Sequence, residues 1–352
     1  MALSKNFIFI AFGWAVSIAM IVVVFQSAPI SDILTALKTV EPLYIILGMV
    51  FSSISIMLRG GRWSRLFLPH YDLSKKGLSL LLLVGMGVNA IFPGRVGDIV
   101  RLGLTVKKYK TGVAFTLATI VVERWLDGIT LLLLLGLSFM LLPDFDVSDS
   151  LSLFGYSVSG GMVVHVIEGL VVACLLISLV LVLLLITKSR QIISATFGGV
   201  PVIGRWVRML EDKILHDVLR GLDSLKIWGN VLQLHIYSII IWSSLIVCNF
   251  LVSLGIDGLH LTFAQAVVVT AISITVSSIP SAPGSWGVFE AGALLSLVVL
   301  GVHFDQAVGV AYVLAIHISQ YVPVLLFGLA AAMAEQLSFR KIRDINQSAE
   351  RQ

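Results

Sequence analysis

Two short stretches carry the residues best suited to chemistry, and each joins a Pro-Gly turn to charge. The first is Asn89-Ala-Ile-Phe-Pro93-Gly94-Arg95-Val-Gly97-Asp98-Ile-Val-Arg101, and the second is Ser278-Ile-Pro280-Ser-Ala-Pro283-Gly284-Ser285-Trp286-Gly287-Val-Phe-Glu290. Arginine is a planar, permanently charged donor that can hold a phosphate with two parallel hydrogen bonds. The glycines beside Arg95 and Arg101 leave backbone N–H groups free to help, and Asp98 is placed to orient both arginines. The competing reading makes all three residues headgroup-level topology anchors. Glu290 falls at the start of an apolar arm, where a bare charge is expensive. It therefore reads either as a proton-coupling site or as half of an intramembrane ion pair.

Two further clusters lie beyond the turns. Glu123, Arg124 and Asp127 interrupt the apolar run 112–142, with the acids on one helix face at i, i+4. If the run is one helix they lie roughly 16 Å deep; if 112–122 lies along the surface, they are interfacial. His317, Gln320 and Tyr321 occupy a comparable place after the second turn. They read as a hydrogen-bonded trio or, with Asn89 and Asp127, as the lining of a cavity.

These residues can be positioned only by membrane helices. Of 352 residues 58% are hydrophobic and 12% charged, against about 25% charged in soluble proteins, and the mean hydropathy is +1.00. The expected class is an all-α polytopic membrane protein. The longest polar stretch, about 187–230, is too short for an ordinary soluble catalytic domain. A net charge of +4 gives no reason to invoke nucleic acid. Cys174 and Cys248 lie in separate apolar runs and read as core fillers. The run Phe7 to Phe25 lacks a clear small-x-small cleavage site and reads as a retained span.

Clear spans are expected at 7–25, 43–58, 163–186, 231–254 and 306–334, with 112–142 as an over-long sixth. Lysine and arginine counts place 59–77, the stretch after Arg101, 187–230 and the tail 335–352 on the cytoplasmic side, and the acidic loop 143–162 outside. Segment 78–104 then has both ends inside, and its first arm is only about 22 Å long. It reads as a re-entrant hairpin, and segment 262–301 as a second hairpin entering from the opposite face. Two repeats follow, 1–142 and 163–334, each with three crossings and a hairpin, both termini cytoplasmic. An odd number of crossings inverts the second repeat, as in many transporters. Residues 205–230 have helical amphipathic spacing and read as a helix along the inner headgroups, with partner docking as the alternative.

No Walker loop, zinc-protease helix, dinucleotide fingerprint or serine elbow is present, and neither metal nor cofactor is expected. Asp144-Phe-Asp146, in an outer loop that also holds Asp149, is a weak metal-dependent glycosyltransferase signal. At Pro93-Gly-Arg95-x-Gly97-Asp98-x-x-Arg101, Glu123-Arg124 with Asp127, and Pro283-Gly284-x-x-Gly287-x-x-Glu290, the chain resembles the flippase-like transmembrane part of lysylphosphatidylglycerol synthases. It departs at Ser285, where that family often has glycine, and at His317, where arginine is common. The synthases' soluble aminoacyl-transferase module is absent. The resemblance implies translocation of an anionic phospholipid or polyprenyl-phosphate-linked lipid across a bacterial cytoplasmic membrane. Arg95, Arg101 and Arg124 would hold the phosphate, with Asp98 and Glu123 positioning them, Ser285 adding a donor, and Glu290 coupling to a proton or a cationic headgroup. A lipid-modifying enzyme or glycosyltransferase is the expected protein partner. The alternatives are a membrane-embedded glycosyl or phospholipid-modifying transferase, and a scaffold for such an enzyme.

Overall fold

The computed structural model describes residues 2–142, 150–153, 156–159, 169, 172, 175–176, 178–180, 216–279 and 281–336. The outer acids Asp144, Asp146 and Asp149, Cys174, Pro280, most of the span expected at 163–186, residues 205–215 and the tail from 337 lie outside these. The described residues between 169 and 180 are helical.

In the first half α1 (Ala2–Gln26) is followed by α2 (Ile30–Thr39), α3 (Pro42–Arg65), α4 (Lys75–Ile91), α5 (Val96–Tyr109) and α6 (Val113–Met140). Beyond residue 215 come α7 (His216–Leu222), α8 (Trp228–Leu254), α9 (Phe263–Val276), α10 (Val288–Val299) and α11 (Gln306–Ala334). The order long helix, two short helices about a Pro-Gly turn, long helix thus occurs twice, as α3–α6 and α8–α11. Helices α3, α8 and α11 are long and apolar enough to cross a membrane, and the α1–α2 pair, bent by 81°, is a fourth candidate. Helix α6 matches them with 28 residues but carries Glu123, Arg124 and Asp127. Large apolar side chains such as Phe12, Leu43, Ile46, Leu133, Leu137 and Leu326 are exposed on these helices, as a surface facing lipid requires.

Local chemistry sets the short helices. Ser74 accepts from Gly77 N to start α4. Phe92, before Pro93, is extended and ends it, because proline disfavours helical backbone in the preceding residue. Thr262 and Gln265 form a reciprocal cap on α9. Tyr109 Oη lies against Gly77, so the ends of α4 and α5 remote from the Pro-Gly turn meet. Each hairpin also packs on a long helix of the other half: α4 on α11, and α9 on α6. Gly87 and Gly328 bring the α4 and α11 backbones together so closely that a Cβ at either would collide with the other, the small-residue contact typical of membrane helices.

Four features differ from the sequence reading. Pro29 starts α2, a short helix with buried Ile33 and Ala36 that was expected as connection. Ser150–Leu153 and Tyr156–Ser159 form a short antiparallel strand pair within a fold that is otherwise all-helical among the described residues, as expected; the alternating serine and apolar residues carry the period-two signal. Helix α3 runs to Arg65 rather than ending near 58, which places Arg59 and Arg62 inside the bundle instead of in a loop. The amphipathic stretch is not one helix to 230: α7 gives way to a 3-10 turn, Asp223–Lys226, and α8 already begins at Trp228. That turn is tied to the protein rather than lying free. Asn230 Nδ2 donates to the carbonyls of Arg65 and Ser224, and Asp223 contacts His70 and Lys226 at 2.7 Å. Burial opposes ionisation of Asp223, but the Lys226 and His70 hydrogen bonds outweigh it and hold its carboxyl below the usual carboxylate range.

Candidate functional site

The tips of the two hairpins meet at a cavity of about 400 Å³ whose walls include Asn89, Arg95, Asp98, Arg101, Glu123 and Arg124 from one half and Ser277, Ser285, His317, Gln320 and Tyr321 from the other. The first turn puts Arg95 in left-handed backbone, φ 56°, as the N-cap of α5. That is an unusual conformation for a residue with a Cβ. It aims the guanidinium across the cavity, where Nη2 donates to the carbonyl of Ser277 at 3.4 Å. Asn89 accepts from Gly97 N at 2.7 Å, and a Cβ at Gly97 would strike the Gly85 carbonyl. Only glycine lets α5 lie this close to α4. Pro93 and Gly94 complete the turn, Gly94 at φ 76°.

Behind Arg95 lies a charged cluster that crosses four helices. Arg62 Nη1 of α3 contacts Asp127 Oδ1 at 2.8 Å, and Arg101 Nη1 of α5 contacts Glu123 Oε2 at 3.0 Å. Arg59 approaches Asp127 Oδ2 at 3.6 Å, and Trp242 of α8 donates to Asp127 Oδ1 at 3.1 Å. Arg101 also lies over the Trp63 ring, 4.5 Å from its centroid, a favourable cation–π arrangement. These side chains are almost wholly buried, Arg62 at 0%, Glu123 at 1% and Arg101 at 2%. A buried charge costs several kcal/mol unless paired, and removing one partner strands the other. Arg62 and Arg101 are thus fixed by their acids.

Arg124 and Arg95 are different. The Arg124 side chain is 45% exposed and its carboxylate contacts, to Glu123, Asp127 and Asp98, are 3.4, 3.6 and 3.9 Å. Arg95 has no carboxylate within 4.0 Å among the described residues. Five guanidiniums against Asp98, Glu123 and Asp127 leave this wall with a formal excess of two positive charges; Arg95 meets no described carboxylate, and Arg124 meets three but none closer than 3.4 Å. Asp98 sits between Arg101 and Arg124, at 3.7 and 3.9 Å. It does not come within ion-pair distance of Arg95, which it was expected to orient together with Arg101.

The second turn builds the opposite wall. Pro283 begins a 3-10 turn in which Gly284 and Ser285 have φ of 66° and 60°. Ser285 thus occupies the conformation that glycine favours. Gly287, at φ 84°, lies against the α1 backbone at Ser17, and Ser17 Oγ accepts from Ala282 N at 2.7 Å. Glu290 turns back to accept from Gly287 N at 2.7 Å and meets His317 Nδ1 at 2.5 Å. It is 2% exposed and reaches the cavity only through His317, so it does not face a headgroup directly. Tyr321 Oη donates to the Ala90 carbonyl at 3.0 Å, joining the second half to the end of α4. Gln320 donates to Asn249 Oδ1 at 2.8 Å. His317, Gln320 and Tyr321 are both a hydrogen-bonded group and cavity wall.

The sequence reading missed Arg59, Arg62 and Trp242. Arg59 and Arg62 stand at i, i+3, one helix face, and that spacing distinguished them from loop anchors. Nothing in the sequence marks Trp242. Helix α6 is continuous from Val113 to Met140, which removes the alternative of a separate surface segment at 112–122.

The sequence model of the lysylphosphatidylglycerol synthase transmembrane region matches residues 10–328. The UPF0104 membrane protein PH1989 of Pyrococcus horikoshii is 23% identical over 348 residues, covering 92% of this chain and 96% of its own length. A UPF0104 membrane protein of Methanothermobacter thermautotrophicus is 29% identical over 126 residues, 35% of this chain and 36% of its own. Both relatives are archaeal, so they support a membrane protein without placing it in a bacterial membrane. The match over nine-tenths of the sequence, three quoted motifs included, makes this chain a member of the lysylphosphatidylglycerol synthase transmembrane-region family.

Proposed function

We propose that the chain translocates an anionic phospholipid or a polyprenyl-phosphate-linked lipid between the leaflets of a bacterial cytoplasmic membrane, the headgroup passing through the cavity where the hairpins meet. One observation carries this: Arg95, a permanent cation, points into an open cavity with no described carboxylate to neutralise it. A phosphate supplies the missing charge and can take both arms of the guanidinium. Arg124 is the second phosphate ligand; Arg101, bound by Glu123, positions rather than binds. On this reading the repeated element order is an inverted repeat, with six full crossings, two re-entrant hairpins and cytoplasmic termini, and a lipid-modifying enzyme or glycosyltransferase supplies or consumes the lipid.

The direct test is purified protein in liposomes carrying a fluorescent anionic lipid in one leaflet, with dithionite quenching to follow its movement. Movement no faster than in protein-free liposomes sinks the proposal. Loss of Asp144 and Asp146 should leave the rate unchanged, since the carriers of charge lie elsewhere; a loss of activity would favour a transferase. The topology has its own check. Single cysteines at the exposed positions Lys75 and Lys110 should react with an impermeant maleimide only from the cytoplasmic side, and one at exposed Asp257 only from outside. Labelling of 75 and 110 from opposite faces would make the first hairpin a true crossing.

A further inference from the structure

Glu290 and His317 lie apart from the arginine cluster, and their hydrogen bonds fix how many protons the pair holds. His317 Nε2 is 3.0 Å from the Gly284 carbonyl oxygen; a carbonyl only accepts, so Nε2 carries a hydrogen. Nδ1 is 2.5 Å from Glu290 Oε1, and that approach needs one hydrogen between the two atoms. Imidazolium facing carboxylate satisfies it, and so does neutral imidazole facing carboxylic acid. Either way the pair holds one removable proton and is neutral while it keeps it. The second carboxylate oxygen is taken by Gly287 N, so no part of Glu290 is left for a cationic headgroup.

We infer that this Glu290–His317 pair is a proton-binding site linked to the anion site, so that a lipid phosphate and a proton occupy the protein together. The inference rests on the anion-site reading above. His317 lines the same cavity as Arg95. Without its proton the pair is an anion beside a bound phosphate, and like charges oppose each other's presence; with it, the pair is neutral. Each ligand therefore favours the other, and the coupling is reciprocal. The rings of Trp286 and Phe289, 4.3 and 4.6 Å from the imidazole centroid and within 35° of parallel to it, hold the imidazole in place beside the cavity.

Little else near the pair titrates. Helix α10 has no other ionisable residue, α11 offers Tyr321 with its ring 5.7 Å away, α9 and α1 press serines and aliphatic groups against this turn, and α4 offers Asn89. The charged residues are those of the first-half wall, Arg59, Arg95, Asp98, Arg101, Glu123 and Arg124.

The test uses the detergent-solubilised full chain and dibutyl phosphate, a soluble phosphodiester whose single charge is constant between pH 6 and pH 9. Calorimetric affinity in the wild type should fall about tenfold across that range, within the usual span of such couplings. Each single substitution leaves one titratable partner, so the double variant Glu290→Gln with His317→Gln, in which neither group of the pair can take up a proton, should bind with affinity independent of pH. Arg95→Ala should bind weakly at every pH. A wild-type affinity that is lost in Arg95→Ala yet flat with pH overturns the proton site alone, as does a double variant, Glu290→Gln with His317→Gln, that keeps the wild-type slope. A wild type with no affinity for dibutyl phosphate overturns the anion site and the coupling together.

Discussion

Arg62→Ala is expected to destabilise the protein by about 3–5 kcal/mol, the usual consequence of removing one member of a buried ion pair. Arg62 is fully buried and supplies the shortest contact to Asp127, 2.8 Å, while also approaching Glu123 at 3.7 Å. It joins α3 to α6, and through Ser238, whose Oγ accepts from Nη1 at 2.8 Å, to α8. Its loss leaves Asp127 with the neutral Trp242 N–H at 3.1 Å and with Arg59 and Arg124 at 3.6 Å, a distance that provides attraction but poor hydrogen bonds. Arg124→Ala is the control. Its side chain is 45% exposed, so its pairs are screened and its removal should cost under about 1 kcal/mol. Adding Asp127→Asn to Arg62→Ala should recover part of the loss by removing the stranded charge. Thermal unfolding in detergent decides the matter: equal midpoints for Arg62→Ala and Arg124→Ala would mean that this pairing does not hold the helices together.

The helices were legible because the forces that make them are local. Apolar runs long enough to span, proline after Phe92, and Thr262 with Gln265 each act within a few residues, so hairpin arms and turns fall where spacing put them. What escaped depends on partners distant in sequence. Arg62 reads as a loop anchor until Asp127, 65 positions on, is brought against it. Helix α2 buries only Ile33 and Ala36 and is too short for a hydropathy signal. The strand pair was missed for a different reason: its alternation was visible, but in a membrane chain the eye weighs apolar runs, not period two.

The site divides along the same line. Arg95, Asp98, Arg101, Glu123 and Arg124 were all read as one group, and they do share a wall of one cavity. Their division of labour was not readable. Whether an arginine holds a ligand or a helix depends on whether an acid reaches it, and only the geometry distinguishes Arg101, 3.0 Å from Glu123, from Arg95, which reaches only the Ser277 carbonyl. Whether Glu290 couples to a proton, meets a cationic headgroup or forms an ion pair stayed open in the sequence, because its position on α10 fixes depth but not direction. Its rotamer is set by Gly287 and His317, on the turn and on a helix 27 residues away.

Arg95→Ala should stop lipid movement while leaving the fold intact. A phosphate entering the cavity loses hydration worth many kcal/mol, and the wall must replace it with donors already in place. A hydrogen bond to a charged group is worth about 1.5–3 kcal/mol, so losing one reduces the rate roughly 10- to 150-fold, and losing both arms of a two-pronged contact reduces it further. The fold should not notice, because no described carboxylate depends on Arg95, and alanine starts α5 in the same left-handed backbone at a Cβ cost, on the order of 1 kcal/mol, that arginine already bears. Arg95→Gly removes even that cost and should be equally inactive, which separates a lost ligand from a strained turn. Arg95→Lys should recover part of the rate, since it restores the charge but not the planar fork. Arg101→Ala, by contrast, should lower stability together with rate, because it strands Glu123. If Arg95→Ala and Arg95→Gly proteins that melt within a few degrees of the wild type move the lipid at the wild-type rate, the phosphate does not pass by Arg95.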